Sequence, residues 1–96
     1  MRISKTEQKF IKNYWQKAFP KAKVYLFGSR TDNLKRGGDI DLIVLNNEKI
    51  RLQEKLKFLS DFMNKCGEQK VDLVTYTFEE DTPFKNIAMI DAIEIR

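Results

Sequence analysis

The chain has 96 residues, 42% hydrophobic and 33% charged, which suits one compact domain over residues 1–96 and excludes two. Its 18 Lys and Arg against 14 Asp and Glu leave a net charge of +4, compatible with an anionic substrate. No dense basic run interleaved with aromatics marks a specific nucleic-acid binder. Histidine is absent, so Ser-His-Asp triads, Cys-His pairs and histidine zinc sites are excluded, and chemistry falls to carboxylates, lysines, hydroxyls and backbone amides.

Ser4 followed by Glu7 reads as a capping box, and Phe10, Ile11, Tyr14, Trp15 and Ala18 recur at helical spacing. This predicts an amphipathic helix ending near Pro20, with Trp15 as a core or interface anchor rather than a ligand platform. The opening "MRISKTEQKFIKNYWQKAF" is too charged for a signal peptide. No apolar run reaches the ~20 residues a membrane helix requires. A lone Cys66 cannot pair within the chain and points to a reducing cytosol, so a soluble cytoplasmic protein is expected.

"KVYLFG" (23–28) and "DIDLIVL" (39–45) read as strands. The ten residues between them, 29–38, are fewer than a parallel crossover requires, so the pair should be antiparallel. Asn47 is a candidate cap for a helix over 48–66, where Leu52, Leu56, Leu59 and Met63 make one apolar stripe, Phe58, Phe62 and Cys66 widen it, and Gly67 stops it. "KVDLVTY" (70–76) is a third strand, parallel to the second across that helix. Thr82 and Pro83 open a last helix running to about Ile90, and the tail "AIEIR" adds a short strand. The fold class is therefore α+β, a small mixed sheet with helices packed against it, in the order helix-strand-strand-helix-strand-helix.

Asp39 and Asp41 lie two apart and so share a strand face, roughly 6 to 7 Å apart at the backbone, while Ile40, Leu42 and Val44 take the core face. A parallel third strand starts at the same sheet edge, and Asp72 joins them if its register puts that side chain on their face. Three carboxylates beside a glycine-serine turn form a hard-oxygen site suited to Mg²⁺, with two ions about 3.5 to 4 Å apart. In that arrangement Asp39 and Asp41 hold the ions, and Asp72 either completes the ligand set or takes a hydroxyl proton. Gly28 lets the backbone approach a polyphosphate, Ser29 donates from its hydroxyl and amide, and Arg30 is a candidate for screening phosphate charge. Lys35 and Arg36 read more readily as a solvated loop, and Gly37-Gly38 as conformational. Taken alone, "DID" is more often a strand that opens with exposed acids, and glycine-serine a common turn; it is their conjunction that points to one site.

"LFGSR", "DIDLIVL" and "VDLV" together resemble the nucleotidyltransferase superfamily that includes polymerase beta, and especially its minimal nucleotidyltransferases, the MNT proteins. The resemblance spans nearly the whole chain, from the leading helix to "PFKNIAMIDAIEI". Many minimal members place ten residues between serine and the first aspartate; here there are nine, with Asp32-Asn33 among them. The resemblance implies divalent-metal binding at Asp39, Asp41 and Asp72, triphosphate binding at Gly28 and Ser29, and transfer of a nucleoside monophosphate from ATP or another nucleoside triphosphate to a hydroxyl. It also implies an antitoxin of a two-gene HEPN-MNT module that adenylylates a tyrosine of a helical HEPN toxin partner, with the acceptor supplied in trans. Two alternatives stand beside it: a non-catalytic antitoxin neutralising its partner by binding alone, through the exposed parts of the Phe58/Phe62 stripe or of the first helix, and transfer to a small-molecule hydroxyl.

Overall fold

The structure is a computed structural model and describes residues 2–31 and 38–96. Readings of Asp32, Asn33, Lys35, Arg36 and Gly37 lie outside the described residues. The element order is α1 (Lys5–Ala18), β1 (Lys23–Phe27), a 3₁₀ turn (Gly28–Thr31), β2 (Ile40–Asn46), α2 (Leu52–Cys66), β3 (Val71–Thr77), α3 (Pro83–Ile90) and β4 (Ile93–Glu94).

The capping box at the start of α1 forms as expected: the Glu7 amide donates to Ser4 Oγ (3.0 Å) and the Ser4 amide to Glu7 Oε1 (2.8 Å). Phe19 leaves the helix in an extended conformation, as a residue before proline prefers. Ile11 and Trp15 are fully buried, which places Trp15 in the core.

The sheet order is β3-β2-β1-β4, with β1 antiparallel to β2 and β3 parallel to it. Ile40, Leu42 and Val44 on β2 and Val24 and Leu26 on β1 face α1 and α2 in one apolar core. From β2 the chain crosses through α2 in one direction, to β3; from β3 it returns through α3 in the other, to β4 beside β1. Right-handed crossovers in opposite directions require opposite faces, which sends α3 across the side that bears Phe27, Asp41 and Ile43. Phe84 of α3 meets Phe27 edge to face with ring centroids 6.0 Å apart.

Helix α2 departs from its sequence reading in two respects. It begins at Leu52 rather than near Asn47, and Arg51 caps it without a side-chain bond. Ile50 is drawn into the core, so the chain stays non-helical up to that point. The helix also turns its phenylalanine edge inward. Phe58 and Phe62 are buried, whereas Leu52, Leu56 and Met63 are 63%, 55% and 51% exposed. Phe58 lies between Tyr14 and Trp15, at 5.2 and 5.1 Å, and Phe62 meets Phe10 at 5.9 Å. Aromatic rings bury more area than leucines and gain from edge contacts, which selects this rotation.

Helix α3 carries its lysine inward. Lys85 is buried, and Nζ donates to the carbonyls of Thr77 (3.2 Å), Phe78 (3.0 Å) and Glu80 (2.6 Å), fastening the turn after β3. Lys85→Met should keep the aliphatic packing but leave those carbonyls without their donor. We expect a loss of about 2 kcal/mol in urea unfolding, and an unchanged midpoint would show the clamp to be inert.

Candidate active site

Strand alternation places Asp41 with Ile43 and Leu45 on the α3 side of the sheet. Cross-strand register sets Phe27 opposite Asp41 on the antiparallel side and Asp72 opposite Asp41 on the parallel side. One carboxylate therefore comes from the second residue of each of two adjacent parallel strands. Asp41 is half-buried and Asp72 exposed. Burial first, then the Asp72 and Asp39 charges and a hydrogen bond with Asp72, lift the Asp41 carboxyl above the ordinary carboxylate range.

Asp39 precedes β2, and its Oδ2 pairs with Lys70 Nζ at 3.4 Å. That contact, together with the charge of Asp72, raises the exposed Lys70 ammonium above its usual value. Sequence reasoning did not single out Lys70 as a counter-ion, although its place directly before "VDLV" was a usable signal. Among the described residues no three acidic or thiol side chains close into one ligand group. Asp41 and Asp72 are together; Asp39 is turned toward Lys70.

The turn beside these acids is built by glycine. Gly28 opens the 3₁₀ segment with φ +74°, and a Cβ there would overlap Asp41 Oδ2 and lie 3.3 Å from Asp41 Cγ. Only a residue without a side chain allows backbone and carboxylate to approach so closely. Ser29 follows in the same turn. Arg30, partly exposed, donates from Nε to the Gly38 carbonyl (3.2 Å), from Nη1 to the Arg2 carbonyl (2.8 Å) and from Nη2 to Gln69 Oε1 (3.4 Å).

The donor chemistry fits a hard divalent cation. It offers aspartate oxygens, the Asp41 charge is crowded by its neighbours, and no thiol or imidazole competes at this corner. Of the three acids read from the sequence, Asp41 and Asp72 are brought together where such an ion would sit, whereas Asp39 is paired with Lys70.

A mixed sheet with aspartates at the leading ends of two parallel strands, beside a glycine turn, is the arrangement that the family comparison accounts for. The chain belongs to the nucleotidyltransferase domain family, which it matches over residues 9–95. No curated protein matches it. Its fold is shared with a mutant MntA–HpeT toxin–antitoxin structure (TM-score 0.67, 14% identity, 93% of this chain and 71% of that one). It is shared also with a structure of a tri-AMPylated Shewanella oneidensis HEPN toxin in complex with an MNT antitoxin (0.64, 15%, 94% and 69%). A provisionally assigned nucleotidyltransferase from Sulfolobus solfataricus is similar as well (0.54, 20%, 98% and 89%). Among the described residues no helix is long and apolar enough to cross a membrane.

Proposed function

We propose that this protein is a single-domain, cytoplasmic antitoxin that transfers a nucleoside monophosphate, AMP from ATP, to a tyrosine hydroxyl of a helical HEPN-family partner. The observation that carries this reading is the pairing of Asp41 with Asp72 across β2 and β3, with the Gly28 backbone in close approach to Asp41. In the reaction the acceptor oxygen bonds to the α-phosphorus, the bond from that phosphorus to the bridging oxygen breaks, and pyrophosphate leaves with the electron pair. Asp72, the more exposed of the pair, takes the hydroxyl proton or serves as a ligand. Gly28 and Ser29 present backbone amides to the triphosphate, and Asp39, Asp41 and Asp72 hold magnesium. When bound, two magnesium ions offset the carboxylate and triphosphate charges and polarise the reacting oxygens. The AMP-modified HEPN toxin of the Shewanella complex supports the choice of nucleotide and partner by similarity of fold.

The test incubates the chain with labelled ATP, Mg²⁺ and a HEPN-family partner. Label should appear on the partner and vanish with Asp39→Asn or Asp41→Asn. Label persisting in both variants would remove the metal assignment.

A second reading, neutralisation by binding alone, is favoured by the exposed Leu52, Leu56 and Met63 of α2 and Ile87 and Ile90 of α3. Phe58 and Phe62 cannot supply that interface, since both are buried in the core. Variants lacking both Asp39 and Asp41 that still neutralise the partner at equal concentration would establish it.

A further inference from the structure

Glu7 is buried, yet one of its oxygens caps α1 while the other accepts from Gln69 Nε2. The Gln69 carbonyl oxygen in turn accepts from Arg30 Nη2 at 3.4 Å. An amide thus joins a carboxylate to a guanidinium with each of its ends used correctly, NH₂ toward the anion and oxygen toward the cation. Arg30 also donates from Nε to the Gly38 carbonyl and from Nη1 to the Arg2 carbonyl, and the Arg30 carbonyl accepts from the Arg2 amide at 2.7 Å.

The anchored points surround the acids. Gly38 immediately precedes Asp39, and Gln69 lies three residues before Asp72 on the approach to β3. Between them the Ile40 amide donates to the Lys70 carbonyl at 3.0 Å, the first backbone tie between the two approaches. The sequence makes Arg30 a candidate for screening phosphate charge; in the structure each of its three nitrogens also donates to a protein acceptor, on three separate segments. Arginine suits that task because its donors are fixed in one plane, so holding three acceptors also fixes their mutual geometry.

We propose that Arg30 is a positioning residue: through the Glu7–Gln69–Arg30 relay it holds the leading ends of β2 and β3 together, and with them the carboxylates at 39, 41 and 72. This rests on the nucleotidyl-transfer reading only for its kinetic consequence; the structural consequence stands apart from it.

The relay's polarity supplies the test. Glu7→Gln sets an amide NH₂ against the NH₂ of Gln69, and turning Gln69 over to satisfy it would aim that NH₂ at Arg30. Gln69→Glu sets two carboxylates against each other. The double variant Glu7→Gln/Gln69→Glu restores every junction. The new amide oxygen at position 7 still accepts from the Ser4 amide, and its NH₂ donates to one oxygen of the new carboxylate at position 69, whose other oxygen faces Arg30.

Each single variant, and Arg30→Lys, should lower kcat for transfer about 10-fold or more, the scale on which misplaced reacting groups act, with KM for ATP within about threefold. Amide exchange at Ile40, read by NMR, should quicken in all three variants, and the double variant should recover both kcat and exchange. The singles retaining parental kcat and exchange, or a double variant no better than the product of its singles, would overturn the proposal. If the parent transfers nothing while the exchange pattern holds, the relay stands and the transfer reading falls. If Arg30→Lys weakens ATP binding far more than it slows turnover, with Ile40 exchange unmoved, Arg30 acts on the nucleotide and the relay is rejected.

Discussion

Asp41→Asn is expected to reduce nucleotidyl transfer by roughly 1,000-fold or more, the ~4 kcal/mol associated with removing one group that acts directly on developing charge, while making the protein harder to unfold. The two effects have one cause. Asp41 is half-buried beside Asp72, with Asp39 near, and each neighbour opposes its charge. Asparagine keeps the shape, removes the charge and offers Asp72 a donor. In metal-free buffer we expect a gain of about 1 kcal/mol, the increment typical of relieving a functional site. That corresponds to about 4 to 8 °C in Tm for a domain of this size. The measurement is a thermal melt in EDTA beside a single-turnover assay with Mg²⁺. A variant that is inactive and also less stable would show Asp41 to be structural, and one that keeps more than a tenth of parental activity would remove it from the reaction.

Gly28→Ala should produce the second-largest loss, by steric means. The methyl would overlap Asp41 Oδ2, at a backbone angle of +74° that L side chains rarely adopt. Something must move, and the atoms available are the turn itself and the Asp41 carboxylate. Displacing a reacting group by about 1 Å costs on the order of 100-fold in rate, and the strained backbone adds about 1 to 2 kcal/mol of destabilisation. Because the obstruction is Asp41, the double variant Gly28→Ala/Asp41→Ala should recover part of the stability without recovering transfer. Unaltered transfer by Gly28→Ala would mean that the close approach of turn and carboxylate has no catalytic role.

The legible parts of the fold were those written in local chemistry. Ser4 and Glu7 mark the start of α1, Pro20 its end, and the short 29–38 connection fixes the antiparallel sense of β1 and β2. The same argument carried Asp72 to the parallel edge beside Asp41. What could not be read was a choice between two apolar faces of one helix. Leu52, Leu56 and Met63 repeat at helical spacing as well as Phe58 and Phe62 do, and the decision rests with Phe10, Tyr14 and Trp15 on a different helix. Lys85 illustrates the same limit: a lysine in a short apolar helix reads as a solvated charge, and only the path of the chain from Thr77 to Glu80 supplies the carbonyls that draw it inward. Arg30 and Gln69 are separated by 39 positions, so no local pattern announces their bond.

One of the two paired acids rides on the outermost strand. β3 is bonded to β2 on one flank only, so among the described residues its other row of amides and carbonyls has no strand beside it. Such a border strand breathes more readily than the interior strand that carries Asp41. A neighbouring chain laid along that border would stiffen it from outside without touching a single reacting atom.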